Sequence, residues 1–187
     1  FMACKASVEF MEGTTNSGKT TVGIFKFMLK CAASRKKFHI ISGVDTGTIE
    51  KNIINKELGA LDAFKGRATY SPSRDKDASM PHITLSLGGE KKIIYVLGCG
   101  DKGRWKKALG GQYGCVFVDE INIADMDFVR EASIRCDYFL ATLNPDDPGL
   151  EVYKEYINRS RPLSEWAGLT PEELLSELNE RPEPGWV

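Results

Sequence analysis

Nowhere in this chain does an apolar run approach the roughly 18 residues of a membrane-spanning helix, and no signal-peptide pattern opens it, so no membrane span is expected. Charge of one sign is also missing. The formal net charge is −1, and composition therefore offers no basic surface for nucleic acid. Any grip on DNA must be local, weak or supplied by other parts. None of the five cysteines stands in a C-x-x-C pair, and their number is odd. Most sit in apolar runs, which reads as buried reduced thiols in a reducing compartment. The two histidines, His39 and His82, are isolated beside strand-like segments, where core or edge roles are expected rather than metal binding. There is no internal repeat and no low-complexity tract. What remains is 187 residues, 42% hydrophobic and 27% charged, enough for one domain with its own core. Phe1 before Met2, and an end on "RPEPGWV" without a helix stop signal, read as cut ends of something longer.

Strand-like and helix-like segments alternate. "SVEFM" (7–11), "KFHIIS" (37–42), "CVFV" (115–118) and "YFLATL" (138–143) are short, continuous apolar runs of the kind buried in parallel sheets. "HITLSL" and "KKIIYVLG" flank Gly88-Gly89-Glu90 and predict a hairpin. Between them and the preceding helix lies a polar stretch, 66–81, whose "SPSRDKDAS" segment reads as a mobile loop. Residues 19–34 predict a mostly apolar helix. Residues 45–58 predict a capped one, with Ile49, Ile53, Ile54 and Leu58 at helical spacing. "RWKKALGG" reads as a short helix or loop. The last part reads as helical, and in "TPEELLSEL" Thr170 is expected as N-cap, Pro171 at N1 and Glu173 at N3. The pattern is that of an α/β fold with a mostly parallel sheet.

Residues 12–21, "EGTTNSGKTT", hold the most informative spacing. Gly13-x-x-x-x-Gly18-Lys19-Thr20 matches the phosphate-loop pattern G-x-x-x-x-G-K-[ST]. Glycines let successive N–H groups turn inward onto phosphate oxygens, and the helix starting near Lys19 turns its positive end to the same anion. Gly13, Thr14, Thr15, Asn16, Ser17, Gly18, Lys19, Thr20 and Thr21 are accordingly the candidate ATP-binding residues. Lys19 reaches the β- and γ-phosphates, and the Thr20 hydroxyl takes Mg²⁺.

"CVFVDE" sets Asp119 and Glu120 at the end of a buried strand, the edge at which open α/β sheets bind ligands. Asp119 suits the Mg²⁺ shell. Glu120, expected on the other side of the pleat, suits a water poised for the γ-phosphate. Alone the pair reads equally as the start of a loop; beside a phosphate loop it points to hydrolysis. The glutamate favours a motor-type ATPase over a small-molecule kinase. Asn144, in "ATLNP", can bond a water or a phosphate oxygen. An Asn-Pro turn starter is the plainer reading of that dipeptide.

"EGTTNSGKT", "VFVDEIN" and "ATLNP", in this order, resemble the three ATPase motifs of large terminase subunits of tailed double-stranded DNA bacteriophages, from about Val8 to Asn158. The resemblance implies a P-loop NTPase fold (RecA-like, ASCE type). It assigns 1–158 to the ATPase core and 159–187 to a truncated helical lid or linker, without the family's nuclease domain. It implies a Mg²⁺-dependent ATP hydrolase that drives DNA into a procapsid in the host cytoplasm. Lys19 and Thr20 would serve in the loop, Asp119 at the metal, Glu120 in catalysis, and Thr142 with Asn144 in coupling. Double-stranded DNA, a portal protein and a small terminase subunit are the implied partners. A homo-oligomeric ring is implied during packaging, and an isolated fragment can be monomeric. One departure concerns arginine: many family members carry one within the loop, where Thr14, Thr15, Asn16 and Ser17 stand here. Arg104 is the candidate to replace it, with Arg74 behind it. Lys106 and Lys107 read as a solvated basic run rather than a DNA contact. Asp125 and Asp127 are expected to cap the helix around Phe128, and Asp146 and Asp147 to need no chemistry. A helicase- or recombinase-like ATPase, a P-loop small-molecule kinase and a nucleotide-binding module without turnover stay open as alternatives.

Overall fold

A computed structural model describes residues 1–187 apart from Leu109, Trp166 and the side chains of Arg104 and Lys107. Along the chain come β1 (Val8–Glu12), α1 (Lys19–Ala33), β2 (Phe38–Gly43), α2 (Thr46–Ile49), α3 (Ala60–Ala63), β3 (Ala68–Ser71) and β4 (His82–Leu87). Then follow β5 (Glu90–Gly98), α4 (Lys102–Ala108), β6 (Tyr113–Val118), α5 (Met126–Ile134), β7 (Cys136–Leu143), α6 (Glu151–Glu155) and α7 (Glu172–Glu177). The strands form one seven-stranded sheet in the order β1-β7-β6-β2-β5-β4-β3. From β1 to β5 every pairing is parallel, and β4 and β3 add on antiparallel. Gly88 and Gly89 both take positive φ, 76° and 88°, the conformation a two-residue hairpin needs between β4 and β5.

Continuous apolar strands follow from burial on both faces. On one face Ile40, Val116, Val118, Phe139 and Ala141 meet α5 through Phe128 and Val129, and α6 through Val152. On the other, Ile41, Cys115, Phe117 and Leu140 meet Ile24, Phe27, Met28 and Cys31 of α1. Gly23 brings α1 close to the sheet: a Cβ there would lie 3.1 Å from the Phe117 ring.

Several elements differ from the sequence reading. The polar stretch contains β3, which owes its form to pairing with β4 rather than to apolar alternation. The helix expected over 45–58 keeps its Asp45 cap but widens after Ile49 into a π-turn, Glu50–Ile54, closed by Asn55 N–H donating to Glu50 O at 2.9 Å. That turn buries Ile53 and Ile54 together and leaves Leu58 exposed at φ 58°. Asp75 ties down the expected mobile loop, accepting from Ser71 Oγ (2.7 Å), Asp77 N (2.7 Å) and Ala78 N (3.2 Å). Helix α7 begins at Glu172 with Pro171, not Thr170, at the cap position. The last residues are extended rather than helical and run along β1: Phe10 N–H donates to Val187 O (2.7 Å) and Val187 N–H to Val8 O (3.0 Å). Of the two expected caps of α5 only Asp125 serves, accepting from the amides of Asp127 and Phe128; Asp127 lies in the first turn and accepts from Arg130 instead. Cys31, Cys99 and Cys115 are buried, Cys4 and Cys136 half-buried, and all five are free thiols.

Candidate functional site

The parallel order brings the three motifs to one edge of the sheet. Glu12, the last residue of β1, pairs with Leu143 at the end of β7, and Val118 at the end of β6 pairs with Ala141. Gly13 N–H donates to Leu143 O at 3.2 Å, and Asp119 N–H to Ser42 O at 2.9 Å. The loop 13–18, Asp119 and Asn144 therefore leave neighbouring strand ends.

Helix α1 starts at Lys19 without a side-chain cap and with no acidic residue in its first turn. Its cap residue, Gly18, is left-handed at φ 82°, and Asn16 has φ 63°. Uncapped first-turn amides carry the positive end of the helix dipole and suit an anion. Thr14, Thr15, Asn16, Ser17 and Gly18 are exposed; Gly13, Lys19, Thr20 and Thr21 are half-buried. The Lys19 ammonium donates to Asn144 Oδ1 at 2.7 Å and to Thr14 O at 3.3 Å.

Asp119 and Thr20 meet. The Thr20 hydroxyl donates to Asp119 Oδ1 at 2.9 Å, and the buried Thr142 hydroxyl donates to the same oxygen at 2.5 Å. Asp119 Oδ2 accepts no hydrogen bond among the described residues, so one carboxylate oxygen and the threonine oxygen form a hard-donor pair of the kind that suits Mg²⁺. Glu120 is not on the pleat as expected. Strand β6 ends at Val118, and Glu120 takes the left-handed conformation at φ 54°, ψ 53°, which costs about 1–2 kcal/mol. Its N–H is held by Thr142 Oγ1 at 3.2 Å, while its carboxylate meets no partner among the described residues. A strained backbone that presents an open carboxylate is unusual outside functional sites.

Arg104 lies on α4, but its side chain falls outside the described residues. Arg74 stands in the loop between β3 and β4, with four strands separating β4 from β1. Lys106 is exposed, 5.8 Å from the Trp105 ring. The sequence reading passed over Tyr153, which reaches this edge from α6, because a tyrosine within "LEVYKEY" carries no motif signal.

Among the described residues one other group could share a metal: Cys31, His39 and Cys115, all buried, with ligand atoms within 4.8 Å of one another. His39 Nδ1, however, already accepts the Cys115 N–H at 3.0 Å, so the ring's free lone pair is engaged. The thiol of Cys31, hydrogen-bonded to Cys115, lowers the pKa of the latter against the opposing effect of burial. This cluster is sealed core.

No family model matches the sequence, and no curated protein matches it significantly. Solved structures do. The large terminase of a thermophilic bacteriophage matches with a TM-score of 0.70 and 20% identity, over 83% of this chain and 38% of that one. The same protein in complex with ATP-γ-S matches at 0.67 and 19% identity, over 82% and 36%. Its ADP complex matches at 0.65 and 20% identity, over 82% and 37%. This chain thus spans little more than a third of that protein's length. No described helix is long and apolar enough to cross a membrane. The resemblance is met at the level of the fold: this chain has the α/β fold of part of a phage large terminase, a mostly parallel seven-stranded sheet between helices.

Proposed function

We propose that this chain is the ATP-hydrolysing motor domain of a DNA-packaging terminase. The observation that carries the reading is the contact between Thr20 and Asp119 beside the Lys19–Asn144 pair, all at the C-terminal edge of parallel strands. Loop 13–18 and the first turn of α1 then serve as the phosphate-binding loop. Its amides and Lys19 hold the β- and γ-phosphates and keep them in line for attack. The sheet order, with β7 between β1 and β6, supports the RecA-like assignment. The thermophilic phage protein's complexes with ATP-γ-S and ADP support a nucleotide as the ligand.

Thr20 and Asp119 would hold Mg²⁺, which when bound neutralises charge on the phosphate oxygens. Thr142 keeps Asp119 aimed and anchors the Glu120 amide. The Glu120 carboxylate, without a partner among the described residues, orients the attacking water and takes its proton. Asn144, released from Lys19, is placed to register the γ-phosphate. An arginine, Arg104 or one from a neighbouring subunit, would complete charge stabilisation. Residues 1–158 form the core and 159–187 the lid or linker. Within the packaging machine the domain would act in the host cytoplasm as part of a ring, with double-stranded DNA, portal and small subunit as partners.

Phosphate release from Mg²⁺-ATP by the wild type and by Glu120→Gln tests the hydrolytic reading. Turnover lost in the variant, with nucleotide binding retained, supports it; equal rates remove Glu120 from the mechanism. Turnover without any acceptor rejects the kinase alternative, and stimulation by procapsids rather than by single-stranded DNA rejects the helicase.

A further inference from the structure

Three loops carry the proposed chemistry: 13–18 with Lys19 behind it, the turn after β6 with Glu120, and the turn after β7 with Asn144. One buried hydroxyl joins them. Tyr153, on α6 and 6% exposed, donates to Glu12 Oε1 at 2.7 Å and accepts the Asp146 N–H at 3.0 Å. Glu12 immediately precedes Gly13. Asp146 stands two residues after Asn144, and its Oδ2 accepts from Asn122 Nδ2 at 2.7 Å, two residues after Glu120. The path Glu12–Tyr153–Asp146–Asn122 therefore links all three loops.

We propose that Tyr153 is a positioning residue of the phosphate site, its hydroxyl holding the loops of Lys19, Glu120 and Asn144 in one register. This rests on the hydrolytic reading above for its consequence, though not for its geometry. Backbone contact alone does not do the same work. Gly13 N–H to Leu143 O joins two of the strand ends, but among the described residues no backbone hydrogen bond joins the turn after β6 to the turn after β7. A tyrosine suits the junction because one hydroxyl both donates and accepts, and the ring, packed with Val152 against the sheet, fixes where that oxygen sits. A small displacement of catalytic groups is costly to rate even when binding survives.

Tyr153→Phe keeps the ring and removes only the hydroxyl. Tyr156→Phe, which removes a hydroxyl bonded to Ser133 rather than to the three loops, serves as the control. Amide hydrogen exchange without nucleotide and steady-state ATP turnover are measured on wild type and both variants. In Tyr153→Phe we expect faster exchange at 13–18 and at 120–123, segments the hydroxyl does not touch. We also expect kcat to fall roughly 10- to 100-fold with KM changed less than about threefold. Tyr156→Phe should stay near wild type in both readouts. Exchange in Tyr153→Phe equal to wild type at both segments overturns the proposal, as does unchanged kcat in a chain that hydrolyses ATP. If the wild type turns over no ATP, the hydrolytic reading fails by itself and exchange alone decides the role of Tyr153.

Discussion

Strand β6 carries Cys115 near its start and leads into Asp119 at its end. Helix α1 spans the same distance, from Thr20 beside Asp119 to Cys31 beside Cys115. Each end thus gathers side chains able to bind a metal or move a proton. At the Cys115 end the groups are buried, and the His39 lone pair is taken by a backbone amide. At the Asp119 end a helix starts uncapped, one carboxylate oxygen is open, and Glu120 is held in a strained conformation with nothing to bond among the described residues. The residue types alone do not separate the two clusters, and neither does bonding, since the buried His39 Nε2 also lacks a partner among the described residues. Access does, because Cys31, His39 and Cys115 are buried while Lys19, Thr20, Asp119 and Glu120 are half-buried at the sheet edge. A set of reactive groups sealed from solvent is packing, and one left open at the end of parallel strands is a candidate site.

Variants at the two ends should therefore fail differently. The largest effect is expected for Glu120→Gln, with turnover lower by at least about 100-fold and nucleotide affinity retained, read by phosphate release and by equilibrium binding. Thr142→Val comes next. It strips a donor from Asp119 and the acceptor from the Glu120 amide, a loss of roughly 1–3 kcal/mol, expected as a kcat about tenfold lower with the fold intact by circular dichroism. Gly18→Ala follows. A methyl there meets no atom within 4 Å, so the whole cost is the left-handed backbone, about 1–2 kcal/mol, seen as weaker nucleotide binding in titration calorimetry. Smallest is Cys115→Ala at the sealed end, which should lower Tm by a few degrees, about 1 kcal/mol, and leave turnover unchanged. If Cys115→Ala removes turnover while Thr142→Val spares it, the contrast between the two ends is wrong.

Much of the open end was legible from residue types. The spacing of Gly13, Gly18, Lys19 and Thr20 places a tight loop before a helix. The apolar runs ending at Val118 and Leu143 place Asp119 and Asn144 at strand ends. The contact between Thr20 and Asp119, ninety-nine positions apart, needs β1, β7 and β6 to lie parallel in that order, with α1 packed across them. Elsewhere local pattern failed. Strand β3 is short and polar, so only its partner β4 makes it a strand. The π-turn at Glu50–Ile54 follows from the core's demand for both Ile53 and Ile54, which helical spacing alone spreads to Leu58. The tail around Trp186 is extended because an edge strand offers it hydrogen bonds and Tyr156 offers a ring to stack on, 5.5 Å away.

By itself the sequence determined most of the strands and helices of the core, though not every residue that ends them, because burial and periodicity act over a few positions. It also determined the chemical types available at each strand end. Tertiary structure decided the strand order and, through it, which side chains meet. It decided that Asp119 stands half-buried at the sheet edge while His39 is sealed in the core, that Glu120 leaves the pleat, and that Tyr153 joins three loops. Those outcomes depend on groups far apart in the chain competing for the same hydrogen bonds, and no local pattern records who wins.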